Sequence, residues 1–222
     1  MGKKNQFQDE LNVRWSILVI VKQVAKSANY FFNPPSKLES NFINRRIELT
    51  FVRWAIWRLL IIEISKLVSS SESQKFNVNK LINKLKPGGF YSNLEFDANM
   101  LEDYQKRLEL HKGLIEEIEK FRNKVYAHND ESPFLNLEPN FSIDDCIDLI
   151  FLIEEFIAYL GSKILNTSFI CPSLTLTENS FDYIYEYALS EQQHNIQLAE
   201  SNGFSYKEFT GCDIFLEERK WG

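Results

Sequence analysis

Arginine, asparagine and histidine stand close together in the segment FRNKVYAHND, residues 121–130. Arg122 is followed directly by Asn123, and His128 comes six positions after the arginine. A guanidinium group is suited to holding phosphate or carboxylate, and an imidazole can exchange a proton near neutral pH. The segment is therefore either a site of acid–base chemistry on an anionic substrate or only the charged end of a helix.

The elements that would position this segment are predicted to be helical. The chain has only eight glycines, and the long stretches between breakers are rich in Leu, Ile, Glu and Lys. We expect an all-α fold, a bundle of four long helices and one short helix with a helical C-terminal extension. The long helices are predicted at about residues 5–28, 38–68, 94 into the motif, and 142–165, the short one at 77–85, and the extension helix at 181–199. The predicted domains are residues 1–168 and residues 169–222.

One face of the third long helix has apolar residues at helical spacing, and Arg122 falls on that face. Its members are Leu101, Tyr104, Leu108, His111, Ile115, Ile118, Arg122 and Val125. An arginine there must extend its head to solvent, meet a carboxylate or line a cleft. The alternative is a surface ion pair with Glu119, three residues back, worth about 0.2–0.5 kcal/mol. We interpret His111 as a core histidine.

The spacing between Arg122 and His128 constrains any shared site. At about 100° per residue, six residues place the two side chains roughly 120° apart on a continuous helix. If both act on one substrate, the helix must open near Tyr126, or a second copy of the chain must supply part of the site. The alternative for His128 is a solvated residue in the last helical turn, where its charge is favourable against the helix dipole.

Composition excludes several classes of protein. Cys146, Cys171 and Cys212 are far apart and show no CxxC spacing, so we expect reduced thiols, no zinc site and a cytoplasmic location. The most apolar run, residues 54–64, contains charged residues and is far shorter than the ~20 residues of a membrane span, so we expect no membrane partner. The net charge of −6 argues against a general polyanion binder.

A local basic feature is present on the second helix, where arginines alternate with tryptophans. The residues are Arg45, Arg46, Arg53, Arg58, Trp54 and Trp57. Such a mixture can contact phosphates and stack on bases. The alternative, which we favour on the pattern, places the tryptophans in the core with the arginines extending along it to solvent.

The segment Arg122-Asn123-x-x-x-x-His128 resembles the signature of the HEPN superfamily, in which an arginine and a polar residue precede a histidine. The extended form RNKVYAHND, and the hydrophobic helix FVRWAIWRLLIIEISKL before it, resemble the abortive-infection type of HEPN protein. The resemblance covers about residues 5–168. It implies a HEPN-like helical bundle that acts as a metal-independent endoribonuclease in a toxin or anti-phage defence system, without metal or cofactor.

The resemblance also implies roles for the motif residues. RNA would be cleaved by internal attack of a ribose 2′-hydroxyl on the neighbouring phosphate. Arg122 would stabilise the phosphate charge, His128 would act in acid–base catalysis, and Asn123 would orient the histidine or the phosphate. Lys124 is a candidate phosphate contact and Tyr126 a candidate stacking residue for the substrate.

The implied partners are RNA, with tRNA as one candidate, a second copy of the chain in a two-fold dimer, and an antitoxin or regulatory protein. Related toxins that a nucleotidyltransferase antitoxin modifies often carry a tyrosine two positions after the histidine, where this chain has Asp130. Three alternatives remain open. They are an inactive HEPN module for protein–protein interaction, a nucleotide- or RNA-binding sensor, and a helical scaffold with an accidental motif.

Overall fold

The computed structural model describes residues 2–71, 74–127 and 139–170, and positions 190, 193–194, 197–198 and 200–202; for residues 38 and 124–127 it describes the backbone alone. Every regular element in these ranges is helical, which confirms the all-α class. The helices are α1 (Lys3–Phe32), α2 (Lys37–Arg45), α3 (Ile47–Val68), α4 (Val78–Leu85), α5 (Ala98–Leu110), α6 (Lys112–Ala127) and α7 (Ile143–Leu160). A π-helical turn, Gly161–Leu165, extends α7.

Four of the helices begin at a polar side chain that accepts a hydrogen bond from a free backbone N–H group of the first turn. The strongest case is α7, where the Ser142 hydroxyl accepts from the Asp145 N–H while the Asp145 carboxylate accepts from the Ser142 N–H. The other N-cap residues are Ser36, Asn77 and Asp97. The predicted starts of α4 and α7 are confirmed.

The prediction of one helix over residues 38–68 is wrong, because the chain breaks between α2 and α3. Arg46 has φ −107° and ψ 113°, an extended conformation that no helix can contain. With the backbone turned in this way, the Arg46 guanidinium lies 5.6 Å from the centroid of the Phe42 ring, a cation–π contact.

The predicted third long helix is also two helices. α5 begins at Ala98 instead of residue 94, and the chain turns at His111, which has φ −89° and ψ 6°. The His111 N–H donates to the Leu108 carbonyl at 3.1 Å, so the last turn of α5 is tightened. Gly113 follows at once, and glycine is a weak helix former. The helical bundle is thus confirmed with seven helices in the described residues, because two of the predicted long helices are each divided into two.

One hydrophobic core unites α1 with α3 to α7. α1 packs along α7, and the Lys22 ammonium binds the Glu154 carboxylate across this pair at 2.7 Å. Cys146 of α7 is fully buried in the core, and burial raises the pKa of its thiol to about 12. This cysteine is therefore a small core residue with little thiolate character at neutral pH.

A buried polar network ties α1 to α4 and to the turn that follows it. Arg14 is fully buried, and its guanidinium contacts the Glu10 carboxylate at 3.3 Å and donates to the Glu10 and Asn77 carbonyl oxygens. The same carboxylate accepts from Lys84 at 2.6 Å and from the Tyr91 hydroxyl at 2.8 Å. The Glu10 carboxylate and the two carbonyl oxygens offset the cost of burying the Arg14 charge, and only the Nε atom of Arg14 has no hydrogen-bond partner among the described residues.

The chain divides into two compact units, residues 1–32 with 52–174, and residues 33–51 with 175–222. The first contains the core described above, and the second contains α2. The boundary at residues 168 and 169 stays a prediction, and most of the predicted helix at 181–199 lies outside the described residues. Among the helices of the described ranges, none is long and apolar enough to cross a membrane.

Candidate functional site

The predicted site residues belong to the C-terminal half of α6 and the segment after it. Arg122 is partly exposed and Asn123 is exposed, both on α6. Lys124 and Tyr126 follow on the same helix, and their side chains lie outside the description. His128 lies outside the described residues. The structure therefore brings Arg122 and Asn123 to one helix end, and the pairing of Arg122 with His128 stays a prediction.

The core-facing position of α6 at this level belongs to Phe121, a residue that the predicted stripe passes over. Phe121 is 8% exposed, and Ile118, one turn before it, is fully buried. A step of three residues from Ile118, equally compatible with helical spacing, points to Phe121. Arg122 therefore lies beside the core, which explains how a guanidinium can sit here and still reach solvent.

The stripe before Arg122 is confirmed with one exception, and the side chain of its last member, Val125, lies outside the described residues. Five apolar members are buried in the core: Leu101, Tyr104, Leu108, Ile115 and Ile118. The exception is His111, whose interpretation as a core histidine is wrong. His111 is the C-cap residue of α5, and α6 begins at the next residue. Its side chain is therefore partly exposed at the junction between the two helices.

Glu119, the alternative partner of Arg122, is engaged elsewhere. Its carboxylate accepts hydrogen bonds from the backbone N–H of Ser70 and, at 3.2 Å, from the Ser70 hydroxyl. Ser70 follows the end of α3, so the contact ties α6 to that end. Within the described part of the chain, Arg122 forms no ion pair. A guanidinium not used for a structural ion pair is the kind of group that binds an anionic substrate.

Aromatic rings pack around Phe121, the residue before Arg122, and we call Phe32, Trp57, Phe121 and Phe141 the aromatic cluster. The Phe121 and Phe141 rings meet edge to face with centroids 6.3 Å apart. Trp57 lies 5.6 Å from Phe141 and 5.3 Å from Phe32. The cluster thus joins the end of α1, the middle of α3, the motif end of α6 and the entry to α7.

The two tryptophans of the arginine–tryptophan pattern on the second predicted helix differ in burial. Trp57 is 2% exposed and belongs to the core, as the structural alternative expects. Trp54 is 37% exposed and touches Phe32 edge to face at 6.2 Å. The Arg53 guanidinium lies 5.7 Å from the Phe32 ring. The core interpretation therefore holds for Trp57, and Trp54 remains partly accessible.

A groove of about 800 Å³ opens elsewhere in the first unit, between α5 and the turn after α4. Leu85, Leu94, Phe96 and Leu101 give it an apolar lining, and its charged residues are Lys86, Glu102, Lys106 and Glu109. The groove contains no residue of the motif. The candidate site is therefore the end of α6 and not this groove.

Comparison with known proteins agrees with the helical architecture. The family model HEPN_AbiU2, described as AbiU2, matches residues 38–183, about two thirds of the chain. This range includes α2 without its first residue, α3 to α7, and the whole segment 121–130. No curated protein and no solved structure matches the chain. The extent of the family match shows that the chain belongs to the HEPN_AbiU2 family, within the abortive-infection-like HEPN proteins.

Proposed function

We propose that the chain is a metal-independent endoribonuclease that acts as a toxin or in anti-phage defence by abortive infection. Membership of the HEPN family supports an RNA-cleaving or abortive-infection role in general. The observation that carries the proposal for this chain is the state of Arg122. It is partly exposed on α6, and Glu119, its candidate partner, binds Ser70 instead.

The proposed reaction needs no group beyond the side chains of the motif. The ribose 2′-oxygen attacks the adjacent phosphorus, its bond to phosphorus forms, and the bond from phosphorus to the 5′-oxygen of the next nucleotide breaks. The products are a 2′,3′-cyclic phosphate and a 5′-hydroxyl. Arg122 stabilises the charge that develops on the phosphoryl oxygens. His128 removes the 2′-hydroxyl proton or protonates the leaving oxygen, and Asn123 orients the histidine or the phosphate. Lys124 and Tyr126 contact the RNA backbone and a base.

A homodimer supplies the second acid–base group that one histidine cannot provide. On a helix that continued to His128, the two motif side chains would point about 120° apart, so each copy would offer half of a site. Two copies related by a two-fold axis place two such halves against each other. Native mass spectrometry of the full chain is expected to show a dimer. A strictly monomeric species under conditions of RNA cleavage would contradict the composite site.

Cleavage of RNA in the presence of EDTA tests the proposed activity. The wild type is expected to cut total RNA or tRNA, leaving cyclic phosphate ends, and both Arg122→Ala and His128→Ala are expected to lose at least about 100-fold in rate. Lys120→Ala is the matched control, because Lys120 lies on the same helix, is exposed and binds only Glu117 at 3.0 Å among the described residues. Intact RNA with the wild type, or equal cutting by all variants, would remove the ribonuclease proposal.

Growth of cells that express the protein tests the toxin role separately. Expression of the wild type is expected to slow growth, whereas expression of Arg122→Ala or His128→Ala at the same level is not. If an antitoxin or regulatory protein exists, its co-expression restores growth with the wild type. If all strains grow equally while the purified wild type cleaves RNA in vitro, the ribonuclease activity stands and the toxin role is rejected.

A further inference from the structure

Two contacts hold α6 immediately before Arg122, from two different directions. Glu119 accepts two hydrogen bonds from Ser70, which follows α3. Phe121 meets the ring of Phe141, which stands just before the N-cap of α7. The residues nearest to Arg122 in sequence are thus attached to the parts of the fold that precede and follow it.

The Phe141 contact differs from ordinary core packing in its position. Phe141 is only partly buried, whereas Trp57 is almost fully buried and Phe121 is 8% exposed. It is the ring that bridges α6 to α3, because it contacts Phe121 on one side and Trp57 on the other. Most of the core is formed by other residues, so the loss of Phe141 removes this bridge without opening the centre of the bundle.

The last turn of a helix carries carbonyl groups without helical partners and opens more easily than its middle. Arg122 lies five residues before the end of α6 at Ala127, one turn before these carbonyl groups, so fraying that spreads inward by one turn reaches it. A guanidinium that frays with its helix end cannot hold a phosphate at a fixed position, and a displacement of about 1 Å can cost on the order of 100-fold in rate. A rigid anchor directly behind Arg122 therefore has a catalytic consequence.

We propose that Phe141 is a positioning residue, which acts through Phe121 to fix the end of α6 and thereby the Arg122 guanidinium. The inference rests on the proposed function for its catalytic part. Phe141 itself touches neither substrate nor reacting atoms, and its effect on the reaction comes from the geometry it imposes on α6.

Three variants separate positioning from general stability. Phe141→Leu keeps an apolar side chain and loses the ring bridge. Phe141→Tyr keeps the ring, and its added hydroxyl can reach water because the position is partly exposed. Phe156→Leu is the matched control, since Phe156 is a buried aromatic residue of the same core that contacts Tyr104 at 5.0 Å on the α5 side.

The experiment measures amide hydrogen exchange along α6 and the kinetics of tRNA cleavage for each folded variant. Phe141→Leu is expected to exchange at least about tenfold faster at residues 119–127 and to lose about tenfold in kcat with KM within about twofold. Phe141→Tyr is expected to keep both the exchange rates at residues 119–127 and kcat close to those of the wild type. Phe156→Leu is expected to show neither the faster exchange at these residues nor the loss in kcat.

Equal behaviour of Phe141→Leu and Phe156→Leu in both measurements would overturn the inference. Faster exchange at α6 with an unchanged kcat would also overturn it, because anchoring would then have no catalytic effect. If the wild type cuts neither total RNA nor tRNA, the proposed function fails. Unchanged exchange at residues 119–127 in Phe141→Leu would independently reject the anchor.

Discussion

At the scale of single residues, the partner of Glu119 decides how Arg122 is understood. An ion pair between residues three apart on a helix is worth about 0.2–0.5 kcal/mol, and sequence spacing alone permits one between Glu119 and Arg122. In the structure, the Glu119 carboxylate accepts hydrogen bonds from Ser70 instead. The two side chains should therefore contribute to the free energy of unfolding independently.

A double-mutant cycle measures this independence. Urea unfolding of Glu119→Gln, Arg122→Gln and the double variant is expected to give a coupling energy below about 0.2 kcal/mol, since no ion pair joins the two residues. Glu117→Gln and Lys120→Gln form the matched control cycle, because this pair has the same spacing, lies two residues earlier on the same helix and is bonded at 3.0 Å. A Glu119–Arg122 coupling near about 0.5 kcal/mol would show that the carboxylate binds the arginine.

At the scale of elements, Gly113 marks the weak start of α6. A Cβ atom built on Gly113 meets no atom within 4 Å, and its φ is not positive, so alanine fits there. Gly113→Ala is expected to raise the free energy of unfolding by about 0.5–1 kcal/mol, because alanine is the better helix former and restricts the unfolded chain. Thermal and urea unfolding check this value.

Gly89 supplies the opposite case in the same chain. A Cβ atom at this position would collide with the backbone carbonyl groups of Asn83 and Lys84, which cannot move away without distorting the end of α4. Gly89→Ala is therefore expected to destabilise the protein. If Gly113→Ala lowers the unfolding midpoint as Gly89→Ala is expected to do, residue 113 is not helical and α6 does not begin at Lys112.

Helix starts could be predicted from the sequence better than helix breaks. Asn77 and Ser142 indicate the starts of α4 and α7, because an N-cap residue is recognised by its own side chain, which accepts a hydrogen bond from the first turn. The break at Arg46 has no such signal, since neither glycine nor proline stands there and the extended backbone depends on the surroundings of α2 and α3. His111 with Gly113 gave a weak signal, which the apolar stripe across the junction outweighed.

At the scale of the whole molecule, the family and the all-α class could be predicted from a short motif and a helical composition. The position of Arg122 at the edge of the core, with Phe121 in the core, depends on how α6 meets α3 and α7. A periodic pattern cannot separate neighbouring residues at the border of a face. The composite site with His128 also stays a prediction, because it depends on the arrangement of two copies of the chain.

The Glu10 network makes the stability of the molecule depend on pH. Burial raises the pKa of the Glu10 carboxyl, but hydrogen bonds from Lys84 and Tyr91 and the charge of Arg14 outweigh it, so the net shift is downward from 4.5. A lowered pKa in the folded state means that the stabilisation is present above about pH 4.5 and is lost as the pH falls through the folded value. Acid is therefore expected to weaken the attachment of α1 to α4.

Urea unfolding of the wild type and Glu10→Gln between pH 3 and 7 tests this expectation. The variant is expected to lose about 2 kcal/mol at pH 7, because buried Arg14 keeps only its carbonyl partners, and to show a smaller loss on acidification. Some slope remains, since the carboxylates of Asp145 and Glu155 also have lowered pKa values. Glu102→Gln, at an exposed position on α5, is the control. Parallel pH profiles for the wild type and Glu10→Gln would show that the network contributes to stability through packing and not through the charge of its carboxylate.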